Sequence, residues 1–306
     1  MRVDSGVQTA AVRQHPAVRW RASIRFWKSK TAGRRVGLAF IYAVLIVGSI
    51  AFALPFYWMI ATSFKTKMEA VMYPPKWVPI PIHFTGYERM WTAFPFARFL
   101  TNTCFITITT MIGFILTSTL VGYGFARTKF KGRDALFLVL LATMMLPPQV
   151  TMIPTFIIFR ALGWINTYYP LIVPAFIGGS AFYIFLMRQF IMTLPRELDD
   201  AARIDGCNSF RIYWNILMPL SKPAIATIAV FSFVGEWNDF MGPLIYLQSQ
   251  EKMTIAVGLR LFVGQFSTDL PAMMAGSFVT VLPLIVIFFL AQNYFVQGIA
   301  LTGLKQ

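Results

Sequence analysis

The chain is dominated by long stretches that contain almost no charged residue. The first covers residues 36–64, and about 20 apolar residues suffice for a helix to cross the hydrocarbon core of a bilayer. Similar stretches lie at 99–126, 135–159 and 161–187, and less cleanly at 223–250 and 270–304. The runs are continuously apolar, whereas barrel strands alternate over about 10 residues. The sequence therefore predicts an all-α membrane protein with about six transmembrane helices, the first of them an uncleaved anchor.

The basic residues are distributed unevenly around these stretches. The formal net charge is +15, but Lys and Arg lie between the apolar runs, so nucleic-acid binding is not expected. Successive segments between the apolar stretches lie on alternate sides of the membrane. The side that holds the N-terminal arm has 19 Lys and Arg residues, and the opposite side has 8. Cytoplasmic loops carry the excess of Lys and Arg, which predicts that both termini of this membrane protein face the cytoplasm.

The same pattern divides the chain. We expect five segments: a basic cytoplasmic arm at 1–36, a first transmembrane helix at 37–64, an extracytoplasmic loop at 65–98, a five-helix core at 99–297 and a cytoplasmic tail at 298–306. The loop at 65–98 is rich in proline and aromatic residues, typical either of a docking surface or of the membrane interface.

A polar loop at 194–223, inside the core segment, separates the fourth and fifth apolar stretches. Its early acids, Glu197, Asp199 and Asp200, favour a helix N-terminus. Gly206 permits a positive φ that ends the helix, so the loop is predicted to be a cytoplasmic helix-turn-helix. Ala201 and Ala202 are small enough to let another protein approach the backbone closely.

This loop carries a specific resemblance. The run from Asp200 to Gly206 resembles the EAA loop of permease subunits in bacterial binding-protein-dependent ABC importers. The resemblance implies a coupling helix that docks on an ATPase subunit, and assigns this role to Asp200, Ala201, Ala202, Asp205, Gly206, Phe210, Pro219 and Pro223. The sequence departs from the family pattern at Asp200, where Glu is usual, and at Cys207, where Ala is common.

Three other segments are similar to the carbohydrate branch of this family, which includes the maltose, lactose and multiple-sugar permeases. They are residues 236–244, which resemble a WNDF-x-x-PL pattern, residues 55–65 and the C-terminal residues 294–305. The resemblance implies a second, related permease, two ATPase subunits, an extracytoplasmic sugar-binding protein and a surrounding lipid membrane. The cargo stays open between a sugar, a polyol and glycerol 3-phosphate.

Two acids interrupt the fifth apolar stretch. Glu236 and Asp239 are three residues apart and are expected to share a helix face directed into the bundle, because unpaired acids are costly in a membrane. Together with Trp237 and Asn238 they are candidates for a substrate path, since sugar sites combine aromatic walls with few polar groups. A structural role at a bent helix is an equal alternative. An ion-coupled secondary transporter is the alternative function, because such acids also serve as ion sites.

Several functional motifs are missing from the sequence. There is no G-x-x-x-x-G-K-[ST] phosphate loop, so we expect ATP and Mg²⁺ on partner subunits and no cofactor on this chain. Zinc-protease and nucleophile-elbow patterns are also missing, so an enzyme is not expected. The two cysteines and two histidines show no metal-ligand spacing.

Overall fold

A computed structural model describes residues 25–263 and 268–303. Within these residues the regular structure is helical, and the only β pairing is an isolated bridge between Val263 and Thr268. The α-helices are α1 (Arg25–Ser63), α2 (Lys67–Val71), α3 (Thr85–Ala93), α4 (Phe96–Arg127), α5 (Arg133–Thr143), α6 (Pro148–Ala161), α7 (Tyr169–Ile177), α8 (Ala181–Thr193), α9 (Glu197–Ile204), α10 (Ser209–Arg211), α11 (Met218–Leu220), α12 (Lys222–Trp237), α13 (Met241–Tyr246), α14 (Ile255–Arg260) and α15 (Leu270–Gly303). A π-helix (Ile212–Leu217) joins α10 to α11, and a 3₁₀ turn covers Gln250–Lys252.

The predicted all-α membrane architecture is confirmed. Among the described residues, four helical segments are long and apolar enough to cross a membrane: Gly37–Ser63, Phe96–Arg127, Tyr169–Thr193 and Leu270–Gln292. Two further pairs of helices reach the same criteria only together, and each is bent. The count rises to six when each bent pair is one span, which is the number that the sequence predicted.

Two of the apolar stretches contain interruptions of the helix. The stretch 135–159 is broken into α5 and α6, which meet at 99°. Pro147 and Pro148 explain the break, because proline lacks an N–H donor and disfavours helical backbone in the residue before it. Within the stretch 161–187 the helix begins only at Tyr169. The helix is then interrupted before α8, where Gly179 has a positive φ of +61°.

At both ends of the chain a helix runs across a predicted segment limit, and the limits themselves stay predictions. Helix α1 begins at Arg25, inside the segment predicted as the arm, and its apolar part begins at Gly37. Helix α15 continues to Gly303, through most of the predicted tail. Residues 1–24 and 304–306 lie outside the described part of the chain. By internal contacts the chain divides into two units, Met1–Phe56 and Tyr57–Gln306.

Helix α4 organises the second unit. Its 32 residues give a length of about 48 Å, enough to connect two separate clusters of buried side chains. One cluster joins α4 to α8, to the loop around α9 and to α12; it includes Tyr123, Met187, Ile191, Ala202, Ile212, Tyr213, Leu217 and Ile228. The other joins α4 to α3, α14 and α15; it includes Met90, Phe96, Phe99, Ile255, Phe262, Ala272 and Ala275.

Candidate functional site: the helical loop between α8 and α12

The predicted helix-turn-helix forms, and its first helix is α9. Glu197, Asp199 and Asp200 occupy the first turn and Arg203 the last, which matches the helix dipole at both ends. At the other end Gly206 adopts φ +80. The arrangement of charges that the sequence predicted for this helix is therefore present.

The turn after α9 is a Schellman motif. The N–H of Gly206 donates to the carbonyl of Arg203 at 3.0 Å, and the N–H of Cys207 donates to the carbonyl of Ala202 at 2.9 Å. Among the described residues, apart from its chain neighbours, no atom lies within 4 Å of a Cβ added at Gly206. The glycine is thus required by its backbone conformation and not by crowding.

A buried ion pair fixes α9 to the end of α4. The Nε of Arg127 lies 3.0 Å from the Oδ2 of Asp199, and the two side chains are only 4% and 7% exposed. The Nη2 of Arg127 also donates to the carbonyl of Leu194 at 2.8 Å. The guanidinium therefore binds both the helix and the segment that leads into it.

The second half of the loop is also attached to α4. Asn208 caps its first turn, and its side chain accepts a hydrogen bond from the N–H of Arg211 at 2.9 Å. The hydroxyl of Tyr213 lies 2.9 Å from that of Thr119, in a buried contact. The hydroxyl of Tyr123 donates to the carbonyl of Ser209 at 3.1 Å. Side chains on both halves of the loop are therefore in direct contact with α4.

The predicted loop residues divide by exposure. The exposed ones are Asp200, Ala201, Asp205, Gly206, Phe210 and Pro219, while Pro223 is half-buried at the start of α12. Ala202 was expected to face another protein, but it is buried in the cluster around α4 and α8. It lies three residues after Asp199, so both occupy the inner face of the helix.

One exposed residue was missed by the sequence analysis. Ile204 is 88% exposed at the end of α9, and it lies near the exposed ring of Phe210 in sequence. Ile204 is therefore an apolar residue on the exposed face of a polar helix, together with Asp200 and Ala201. Its position directly before the Asp-Gly turn was the available signal.

The candidate substrate path lies at the break between α12 and α13. Trp237 is 2% exposed, and its indole N–H donates to the carbonyl of Thr280 on α15 at 3.0 Å. The ring stacks on Phe233 at 5.3 Å. In this conformation the indole is unavailable as a wall for a sugar, which favours the structural alternative for this residue.

The other three candidates are more accessible. Glu236 and Asp239 are half-buried, and Asn238 is exposed with its amide donating to the carbonyl of Val234 at 2.8 Å. The two acids do not share a helix face as predicted, because α12 ends at Trp237 and Asp239 lies in the break. There Asp239 accepts from the N–H of Gly242 at 3.2 Å. Pro243 lies in the first turn of α13, where a missing N–H is tolerated, so it does not account for the end of α12 at Trp237.

The segment after α1 is held by charged contacts at the other end of the bundle. Thr66 and Glu69 form a capping box, and Lys76 lies 2.6 Å from the Glu69 carboxylate. The hydrogen bonds from Lys76 and Thr66 lower the pKa of Glu69 to about 2.

A second acid at this end joins three helices. Asp269, directly before α15, binds Lys67 at 2.9 Å and Arg89 at 2.7 Å. Burial works to raise the pKa of Asp269, but the hydrogen bonds from Lys67 and Arg89 outweigh it, so the pKa lies below its usual value. Within the described residues no group of three His, Cys, Asp or Glu side chains is arranged to hold a metal ion.

These features define a class: an all-helical membrane protein whose polar helical loop is built onto its central membrane helix and presents an exposed face. Residues 115–300 match the family model described as the binding-protein-dependent transport system inner membrane component, and the chain belongs to this family.

Named relatives and a solved structure agree with this assignment. The chain is 35% identical to the arabinooligosaccharides transport system permease protein AraQ of Halalkalibacterium halodurans, over 72% of this chain and 77% of the relative. It is 32% identical to the melibiose/raffinose/stachyose import permease protein MelC of Bacillus subtilis, over 90% and 99%. The fold is similar to that of a chain in the crystal structure of a bacterial ABC transporter for import of the acidic polysaccharide alginate, with TM-score 0.77, 22% identity and coverage of 86% and 98%. The family match supports an importer and not the ion-coupled alternative.

Proposed function

We propose that this chain is a permease subunit of an ABC importer that carries a sugar or a related polyol into the cytoplasm. The observation that carries the proposal is the attachment of α9 to α4 through Arg127 and Asp199, beside an exposed face of Asp200, Ala201 and Ile204. A rigid helix that is anchored to a membrane span on one side and free on the other is suited to transmit the movement of a partner. The sugar assignment is supported by the relatives, whose names include oligosaccharide import.

The proposal includes the partners of the complex. A second, related permease completes the pore, two ATPase subunits bind ATP and Mg²⁺, and an extracytoplasmic binding protein delivers the cargo. The exposed face of the loop 194–223 docks on an ATPase, so this loop and both termini are cytoplasmic. Closure of the ATPases pushes α9, and the Arg127–Asp199 pair and the Tyr213–Thr119 hydrogen bond pass the displacement to α4.

For the substrate path we retain Glu236, Asn238 and Asp239 as candidates. Two acids and an amide at a helix break supply acceptors and donors for sugar hydroxyls. Trp237 supports this site from behind, because its hydrogen bond to Thr280 holds the end of α12 against α15.

The coupling role is tested by replacing the turn glycine. We would purify the complex through this chain and measure the retained ATPase subunits and the sugar-stimulated ATP hydrolysis for wild type and Gly206→Pro. Proline cannot adopt φ +80, so the turn after α9 is lost. Gly163→Pro is the matched control: Gly163 also has a positive φ, open surroundings and an N–H that donates at 3.0 Å, but lies in the loop between α6 and α7.

A surface variant separates docking from folding. Ile204→Asp leaves the buried contacts of α9 unchanged and adds a charge to the exposed face. We expect Gly206→Pro and Ile204→Asp to lose ATPase subunits or uncouple hydrolysis, and Gly163→Pro to retain both. Equal behaviour of Gly206→Pro and Gly163→Pro, together with no effect of Ile204→Asp, would remove the coupling assignment.

A further inference from the structure

A surface cavity lies beside the loop between α8 and α12. It has a volume of about 430 Å³ and lies between the turn that joins α4 to α5 and the residue that precedes α9. Its charged lining consists of Lys129, Arg133, Arg196 and a single acid, Asp134. Three cations and one carboxylate leave a net charge of +2.

The three cationic side chains differ in whether they have an ion-pair partner. The Nε of Arg133 binds the Oδ1 of Asp134 at 2.9 Å, so this pair is neutralised internally. Lys129 and Arg196 form neither an ion pair nor a side-chain hydrogen bond with another described residue. Two cations without an ion-pair partner in the described part of the chain therefore face one cavity, and both are available to bind an anion from outside the chain.

A further arginine lies one helical turn below the hollow. The guanidinium of Arg188 lies 4.0 Å from the ring centroid of Phe137, which is one turn beyond Arg133 on α5. The Nε of Arg188 is buried and has no hydrogen-bond partner among the described residues. It adds positive potential beneath the cavity floor.

The position of the hollow selects the kind of anion. Helix α4 ends at Arg127 and α5 begins at Arg133, so the cavity lies where apolar helices meet water. Next to the cations, α5 exposes Leu136, Leu138 and Val139, each more than half exposed. A free anion needs only the cations, whereas a phospholipid also needs an apolar surface for its chains. Basic pockets of this kind at the cytoplasmic side of membrane helices bind anionic head groups.

We propose that this cavity binds the phosphodiester head group of an anionic phospholipid, with Lys129 and Arg196 as its cationic contacts. The inference rests on the proposed cytoplasmic orientation of the loop but not on the identity of the cargo. Since Arg196 is the residue that precedes α9, the bound lipid lies directly beside the helix that is proposed to dock on the ATPase.

The test uses the full chain purified with its associated subunits in mild detergent. Native mass spectrometry would count the dioleoyl phosphatidylglycerol retained, beside dioleoyl phosphatidylcholine as the zwitterionic comparison. The variants are Lys129→Gln, Arg196→Gln and their combination. The control is Lys131→Gln, which removes the same charge from the same exposed turn without lining the cavity. Circular dichroism verifies the helical content of each variant.

We expect wild type and Lys131→Gln to retain phosphatidylglycerol over phosphatidylcholine. Each lining variant should lower this retention about fivefold, and the double variant about 25-fold if the cations act independently. Added inorganic phosphate should not displace the lipid. The proposal is overturned if both lipids are retained equally, if Lys131→Gln is as damaging as Lys129→Gln, or if free phosphate displaces the lipid. It is also overturned if the lining variants lower ATPase retention and leave lipid retention unchanged, since the hollow is then a protein interface.

Discussion

The guanidinium of Arg127 and the carboxylate of Asp199 meet at 3.0 Å in a site that is almost closed to solvent. The two residues are the last residue of a membrane-length helix and a first-turn residue of a short polar helix. This contact converts a surface loop into a rigid extension of α4. The first prediction concerns its energy.

Removing one partner of this pair leaves the other charge buried. We expect Arg127→Gln or Asp199→Asn to cost about 3–5 kcal/mol of unfolding free energy, measured from the denaturant midpoint of the detergent-solubilised chain. The combined variant Arg127→Met/Asp199→Leu should recover part of this loss, because it buries no charge. Arg203→Gln is the control, since the Arg203–Asp200 pair is exposed and contributes about 0–1 kcal/mol. Equal losses for Arg127→Gln and Arg203→Gln would contradict the prediction.

The turn after α9 gives a prediction about backbone conformation alone. Because the space around Gly206 is open, the only cost of a substitution there is the backbone strain of a positive φ in a residue with a Cβ. We expect Gly206→Ala to cost about 1–2 kcal/mol and Gly206→Asn less, with Gly206→Val the worst of the three. Thermal unfolding of the purified chain would rank them. A ranking by side-chain size, with Asn more damaging than Ala, would show that crowding decides instead.

The contact between α4 and α8 is close enough to depend on one glycine. A Cβ at Gly122 would lie 2.9 Å from the Cβ of Met187 and 3.1 Å from the backbone nitrogen of Arg188. We expect Gly122→Ala to destabilise the chain by about 1–3 kcal/mol. Gly124→Ala, two residues further along the same helix and in open space, should gain about 0.5–1 kcal/mol. The two thermal midpoints should therefore move in opposite directions.

The capping box after α1 predicts a response to acid. The pKa of Glu69 is about 2 in the folded chain and about 4.3 in an unfolded one. A lowered folded pKa stabilises the fold above the unfolded value, and this contribution disappears as the pH falls from about 5 to about 2. We expect Glu69→Gln to lower stability at pH 7 and to flatten its pH dependence in this window. Lys76→Gln, which removes the main cause of the shift, should move the dependence in the same direction. An unchanged acid profile in both variants would refute the assignment.

Trp237 distinguishes the two roles proposed for its segment. If the indole supports the helix break, Trp237→Phe loses the hydrogen bond to Thr280 and lowers the thermal midpoint, while the KM for transported sugar stays constant. Asn238→Ala, at an exposed position beside it, should change KM more than stability. The opposite outcome, a KM effect for Trp237→Phe without a change in stability, would return the indole to the substrate path.

The sequence predicted part of this site. The helix, its acidic first turn and the glycine turn were all expected, because these are local signals. The ion pair was not, since Arg127 and Asp199 are far apart in the chain and only the packed bundle brings them together. The burial of Ala202 was accessible in principle: it is three residues from Asp199, and a helix places such residues on one face.

The membrane helices show a similar division. The hydropathy of the sequence located all the apolar stretches. It does not show where the helix bends or breaks within a stretch. The break before Pro148 depends on two prolines, Pro147 and Pro148, that leave backbone groups unpaired, and the neighbouring helices decide whether the chain bends there. The cavity lined by Lys129 and Arg196 could not be predicted from the sequence either, because the two residues lie in separate turns that only the folded chain brings together.

The preformed state of α9 has a consequence for how the complex assembles. A segment that must fold upon binding pays the entropy of ordering at that moment, and its affinity is lowered accordingly. Here the Arg127–Asp199 pair and the Schellman turn already hold the helix within a single chain. If α9 docks on an ATPase as proposed, its surface is therefore complete before the ATPase arrives. Assembly would then begin at the membrane as soon as this chain has inserted.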